Sequence, residues 1–290
     1  MDSSKYEVLS RCLQAASGAV PADQEDSLYL VHEEGNQLIE RLMEGSEPTE
    51  QDRIATGVKS KTPAAYLYKD TDERYVFCVD KSDTLKFYKY EGSWKAATLG
   101  SLPAQKLHTK GKLCATITPD GIVLYYQDPS GNLKGIEQRN GAWKALDTIS
   151  VKTQDASPLS VSFSESDSNL YLYYVGSDAS LHYRVISYKS GKSDDKVFPK
   201  SKFDKPITNF IVFRGEDGQG TEAYFLTPSI SGNGSVFTRV DGDGTRATLG
   251  YARDGKFEPD SSAQCFRMCC CPIMVYYVHM HHMRRGCYCW

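Results

Sequence analysis

The sequence predicts an all-β fold: a five- to six-bladed β-propeller built from four-stranded antiparallel blades. Three observations carry that expectation. One strand–turn–strand unit recurs five times, near residues 27, 74, 121, 169 and 221. Equivalent strand positions, Leu28, Tyr75, Ile122, Leu170 and Ala223, are spaced by 47, 47, 48 and 53 residues. Each unit is preceded by a further short apolar run, so the period holds several strands and no helix. A fixed period of that size with short strands is a propeller signature.

The unit from Gly121 to Trp143 is the clearest copy. Ile122 to Gln127 is rich in β-branched, aromatic and apolar residues, the composition of a strand. Asp128-Pro129-Ser130-Gly131 is a turn in which Pro129 fixes φ and Gly131 supplies a positive φ. Leu133 to Gln138 returns, Asn140-Gly141 turns again, and Trp143 follows as an apolar anchor. Trp94 holds the matching place in the preceding unit.

In chain order, the first 26 residues are ambiguous. Tyr6 to Ala16 suits a short helix, whereas the repeat demands a first inner strand, expected around Ala15 to Val20. The other inner strands are expected at Ala64–Tyr68, Leu113–Thr118, Leu159–Phe163 and Ile207–Phe213. Pro63, Pro119, Pro158 and Pro206 flank them where a missing N–H costs no ladder bond. The links Glu44 to Lys61, Gly100 to Lys112 and Lys189 to Lys205 are polar and carry Gly, Pro or Ser, which predicts surface connections. The propeller is expected to span residues 1–262.

Residues 263–290 do not follow the repeat. Cys265 to Trp290 holds six of the nine Cys, three of the six His and four of the six Met. Its spacing fits no standard zinc pattern. It reads as a divergent last blade or tail, with a metal site as the alternative. Cys12, Cys78 and Cys114 read as reduced, buried thiols.

Net charge is −3 with both signs interspersed, which argues against nucleic acid as a partner. No apolar run reaches bilayer length, and the acidic, Arg11-bearing start is unlike a signal peptide. A cytoplasmic location is the expectation. No nucleophile elbow, phosphate loop or HExxH motif occurs, and no cofactor is implied.

The frame Ile122, Leu124, Tyr125, Tyr126, Gln127, Asp128, Gly131, Leu133 and Gly141–Trp143 resembles the fungal fucose-specific lectins. Their blades carry I-R-V-Y-Y-Q-D-x-x-G-x-I-x-E followed by G-x-W. The resemblance covers roughly residues 20–260 and implies a six-bladed propeller. In that family an Arg, a Glu and a neighbouring ring hold fucose. Here the Arg position reads Tyr29, Val76, Val123, Tyr171 and Tyr224. The Glu position reads Glu40, Phe87, Gly135, Tyr183 and Thr238 or its neighbour. Only Glu40 survives, without its Arg, so the sequence predicts that the sugar clamps have become apolar.

A lectin-like propeller with altered clamps is also similar to fungal hetero-Diels–Alderases of tropolonic sesquiterpenoid (xenovulene and eupenifeldin type) pathways. That resemblance implies a cofactor-independent pericyclase joining a tropolone-derived quinone methide to a humulene-type sesquiterpene, with small apolar metabolites as partners. An apolar cleft that orients two reactants lowers a barrier without a nucleophile. On that expectation Tyr66, Tyr68 and His108 are the catalytic hydrogen-bond donors and acid. Trp94, Trp143, Tyr171, Tyr173, Tyr183, Tyr224 and Arg184 bind substrate, and Arg239 is a second candidate for an anionic tropolonate. The alternatives are a carbohydrate-binding lectin with a glycan partner, and a non-catalytic scaffold.

Overall fold

The computed structural model describes residues 3–14, 18–22, 27–44, 47–214, 220–230, 232, 234–253 and 256–260. The Cys- and His-rich stretch lies outside the described residues, as does any metal site there. Among the described residues, no three His, Cys, Asp or Glu gather as metal ligands. No helix among them is long and apolar enough to cross a membrane.

Among the described residues, five antiparallel sheets follow one another. Blade 1 holds β1 (Gly18–Pro21), β2 (Ser27–Glu34), β3 (Gln37–Glu44) and β4 (Glu47–Thr56). Blade 2 holds β5 (Ala64–Tyr68), β6 (Arg74–Val79), β7 (Leu85–Tyr90) and β8 (Trp94–Ala97). Blade 3 holds β9 (Leu113–Thr118), β10 (Gly121–Gln127), β11 (Leu133–Arg139) and β12 (Ala142–Ala145). Blade 4 holds β13 (Leu159–Ser164), β14 (Asn169–Val175), β15 (Leu181–Ser187) and β16 (Ser193–Val197). Blade 5 adds a fifth strand: β17 (Asn209–Phe213), β18 (Glu222–Pro228), β19 (Ser235–Asp241), β20 (Arg246–Arg253) and β21 (Lys256–Pro259).

The inner strands β1, β5, β9, β13 and β17 touch in that order, which is the propeller arrangement. The apolar core accordingly lies between blades, where each sheet packs on the next. Tyr66 and Val76 pack with Tyr29 and Val31 between blades 1 and 2. Phe77, Phe87 and Trp143 belong to the cluster shared by blades 2, 3 and 4. Phe203, Phe210 and Phe225 pack with Tyr173 between blades 4 and 5.

The middle hairpins are set by one turn. Asp128 Oδ1 accepts from Ser130 N and Asn132 N at 2.9 and 3.0 Å. Asp80 does the same with Ser82 N and Thr84 N at 2.8 and 3.0 Å. An Asp side chain that mimics the backbone in this way fixes the turn locally. The position with φ near +60 to +80° is Gly131 in blade 3, but Asp83 in blade 2 and Ala179 in blade 4.

The expected N-terminal alternatives both occur. Helix α1 spans Ser3–Gln14, and β1 begins at Gly18. α1 buries Leu9 and Leu13 against Ile211, Tyr224 and Phe237 of blade 5. Cys12 packs on Ala19 and Leu28 of blade 1, and Leu13 O accepts from Asn209 Nδ2 at 2.9 Å. The helix therefore joins blade 5 to blade 1.

Two expected surface links contain strands. Glu44 to Lys61 holds β4, and Lys189 to Lys205 holds β16. Both are outer edges: Glu47–Arg53 and all of β16 are exposed. Charged, solvated edge strands discourage pairing with another chain, and for that reason they lack the apolar alternation that marks a strand in sequence.

Candidate functional site

The ladder places each candidate clamp position. Val31 faces Glu40 and Phe77 faces Phe87. Tyr125 faces Gly135, and Tyr173 faces Tyr183. Leu226 faces Phe237, the neighbour of Thr238. Phe87 thus holds the blade 2 position, and Val76 is the residue one place out: Val76 and Cys78 pack back on blade 1, whereas Tyr75 and Phe77 face blade 3; a one-residue slip turns a side chain to the opposite face.

Glu40 has an arginine after all. Arg74, the first residue of β6 in the next blade, donates from Nη2 to Glu40 Oε2 at 3.3 Å and from Nη1 to Tyr29 Oη at 3.0 Å. Trp94 Nε1 donates to the same carboxylate oxygen at 3.2 Å, and Tyr66 Oη donates to the other. The pair is closed off from solvent, with side-chain exposures of 3% for Glu40 and 6% for Arg74. Burial pushes the Glu40 carboxyl up, and the donors from Tyr66, Arg74 and Trp94 oppose it.

Three further boundaries carry an arginine, a carboxylate and a phenol ring. Between blades 3 and 4, Arg139 Nε donates to Glu137 Oε2 at 3.0 Å. Its guanidinium lies 4.5 Å from the Tyr188 ring centre, and Lys144 Nζ reaches Glu137 Oε1 at 2.6 Å. Between blades 4 and 5, Arg214 lies 3.6 Å above the Tyr171 ring and donates to Asp167 Oδ2 at 3.3 Å. Burial pushes the Asp167 carboxyl up, but bonds from Tyr171 and Ser164 and the charge of Arg214 outweigh it and hold it below its ordinary value. Against α1, Arg239 Nη2 donates to Asp241 Oδ2 at 3.0 Å, beside Tyr224, its partner across the ladder.

These groupings differ in access. The Arg139 and Arg214 side chains are 37% and 22% exposed. Arg214 Nη1 is itself buried and makes no hydrogen bond among the described residues. A guanidinium edge next to a carboxylate offers donors and acceptors at the spacing of vicinal hydroxyls, and a phenol ring offers an apolar face.

The boundary between blades 2 and 3 has no such grouping. Phe77 and Phe87 stack at 4.6 Å, and Trp143 meets them edge-on at 5.9 and 5.5 Å. Trp143 is 7% exposed, so it fills this apolar boundary.

The sequence-predicted residues divide accordingly. Tyr66, Tyr68 and Trp94 come together in the first boundary, where Tyr66 and Tyr68 stack on Tyr29 at 6.0 and 5.7 Å. Tyr66 is fully buried between blades. His108 belongs elsewhere, 3.6 Å from Asp155 on the next interblade link. Tyr173 and Tyr183 stack at 5.6 Å in blade 4, while Tyr171 lies under Arg214. Tyr224 Oη donates to Glu222 at 2.7 Å, and burial first, then Glu222, pushes its phenol far up. Arg184 lies 3.8 Å from Asp195. The expectation that the clamps have turned uniformly apolar is therefore corrected. Arg74, Arg139 and Arg214 were missed because two of them come from the hairpin of the neighbouring blade and the third from the end of β11. Arg74, the first residue of its repeat, was the available signal.

No family model matches the chain, and no curated protein matches it. Solved structures do. AofleA from Arthrobotrys oligospora superposes with a TM-score of 0.63 at 15% identity, over 84% of this chain and 74% of that one. SapL1 lectin, solved in complex with alpha methyl fucoside, gives 0.59 at 13%, over 87% and 84%. Aleuria aurantia lectin, a six-bladed β-propeller with its own mode of fucose recognition, gives 0.58 at 17%, over 81% and 78%. The fold is a lectin-like β-propeller. At these identities the likeness speaks for fold alone.

Proposed function

We propose that this chain binds carbohydrate at two blade boundaries, 3–4 and 4–5, through Arg139–Glu137–Tyr188 and Arg214–Asp167–Tyr171. The observation that carries the reading is the recurrence of a partly exposed guanidinium, a carboxylate and a ring at successive boundaries of a repeat fold. Each grouping is close to neutral, which suits a neutral, hydroxyl-rich ligand. Fucosides come first because structural neighbours are described with them. Two weak sites on one rigid body also gain from multivalent glycans.

The pericyclase reading lacks a comparable observation. It needs an open apolar cleft, and the apolar boundary between blades 2 and 3 is occupied by Trp143. The neighbours lend it no support.

A glycan array followed by titration with methyl α-fucoside tests the proposal. Removing a charge-assisted hydrogen bond costs about 1.5–3 kcal/mol, so Arg214→Ala or Arg139→Ala should weaken its own site roughly 10- to 150-fold. Retention of no glycan by the folded wild-type protein would remove the reading.

A further inference from the structure

The boundary between blades 1 and 2 is built differently from the two sugar sites proposed above. Three rings surround one guanidinium. The Arg74 carbon Cζ lies 3.7 Å from the Tyr90 ring centre, 4.7 Å from that of Tyr29 and 5.8 Å from that of Trp94. Glu40 forms the floor, taking donors from Arg74, Trp94 and Tyr66. Aromatic faces around a carboxylate are the elements of a cation cage, since ring quadrupoles and the anion both attract positive charge.

The guanidinium is also a newcomer to its position. The residues at the same place on β2, β10, β14 and β18 are Leu28, Ile122, Leu170 and Ala223, none of them cationic. The cage residues, by contrast, come from both blades: Tyr29 and Glu40 from blade 1, Tyr66, Tyr90 and Trp94 from blade 2.

We infer that this boundary is a cation-binding cage for a guanidinium or alkylammonium group, and that Arg74 occupies it in cis. A neutral sugar cannot replace Arg74 there, because it would leave the buried Glu40 carboxylate uncompensated. The ligand class of this boundary therefore differs from that of boundaries 3–4 and 4–5. The inference goes beyond the carbohydrate reading and does not depend on it.

Arg74→Ala empties the cage and is expected to lower the melting temperature by on the order of 10 °C. Methylguanidinium chloride at millimolar concentration should then raise that temperature saturably, while N-methylurea, its neutral analogue, should not. Wild type, whose cage is filled, should show no such rise. Neither should Glu40→Gln/Arg74→Ala, which lacks both charges. If Arg74→Ala does not fold alone, refolding it with methylguanidinium, but not with N-methylurea, should recover soluble protein. No rescue in either format overturns the inference, as does an equal effect of methylguanidinium on all three proteins. Glycan binding by the double variant reports separately on the sugar sites, so failure of one idea is distinguishable from failure of the other.

Discussion

Trp143→Ala probes the packing that decides between a filled and an open boundary. The indole is 7% exposed and stands edge-on to two stacked phenylalanines, at interplanar angles of 79° and 73°. Large-to-small replacement of a buried aromatic costs about 3–5 kcal/mol through lost transfer energy and an unfilled cavity. The two edge-to-face contacts are part of that loss, each worth about 0.5–1.5 kcal/mol. At about 2–4 °C per kcal/mol for a chain of this order of size, the melting temperature should fall by roughly 6–20 °C. Urea titration gives the free energy, and a common slope for variant and wild type confirms that the exposed area is comparable. Trp94→Ala is the internal comparison: its ring is half-buried and its Nε1 donates to Glu40. A loss below about 1 kcal/mol for Trp143→Ala would refute the wedge. The indole would then be dispensable for packing and available to a ligand, as the sequence first suggested.

Leu13→Ala should cost about 2–5 kcal/mol, because Leu13 is 3% exposed where α1 meets blade 5; chemical denaturation measures it, and a neutral result would mean that the helix does not hold the last blade. Cys78, whose thiol burial pushes up to about 12, should resist Ellman's reagent in the native protein and react only on unfolding. Asp167 has a depressed carboxyl pKa in the fold, so its contribution to stability is present above the unfolded value of about 3.9 and is lost as pH falls through the lower folded value. Asp167→Asn should accordingly flatten the acid limb of a melting-temperature profile below about pH 4; an unchanged limb would show that the Arg214–Tyr171 contacts do not tune this group.

The legible part of the fold was the part with apolar periodicity. β5 and β9 begin and end where the sequence placed them, and the Asp128 turn closes as its Pro and Gly imply. β4 and β16 escaped notice because an exposed edge needs charge rather than alternation. The sites were less legible, for two physical reasons. A strand register one residue out put Val76, which packs back on blade 1, in the place of Tyr75, which faces blade 3. The arginines were sought along each blade's own strand, whereas Arg74 and Arg214 enter from the hairpin of the blade that follows.

That entry route has a chemical logic. Where the second strand carries Tyr on the face toward the next blade, a cation comes to it: Arg74 to Tyr29, Lys89 to Tyr75, Arg214 to Tyr171, and Arg239 opposite Tyr224. Val76 lies on the opposite face, packing back on blade 1 in an apolar cluster with Tyr66 and Cys78. A phenol gives an arginine both a π-face and a hydroxyl acceptor, and a valine gives neither. Blades meet only their neighbours in such a repeat, so the hairpin of the next blade is a short route by which a charge can reach the boundary. A tyrosine at that position thus meets a cation in four blades, imported from the next blade for Tyr29 and Tyr171 and supplied by the same blade for Tyr75 and Tyr224. The chain carries its own exception. In blade 3, Val123 faces Glu137, and Arg139 holds that carboxylate while its guanidinium lies against Tyr188 of blade 4. Val123→Tyr should therefore draw Arg139 back across the ladder and weaken any ligand held at boundary 3–4, while leaving boundary 4–5 untouched.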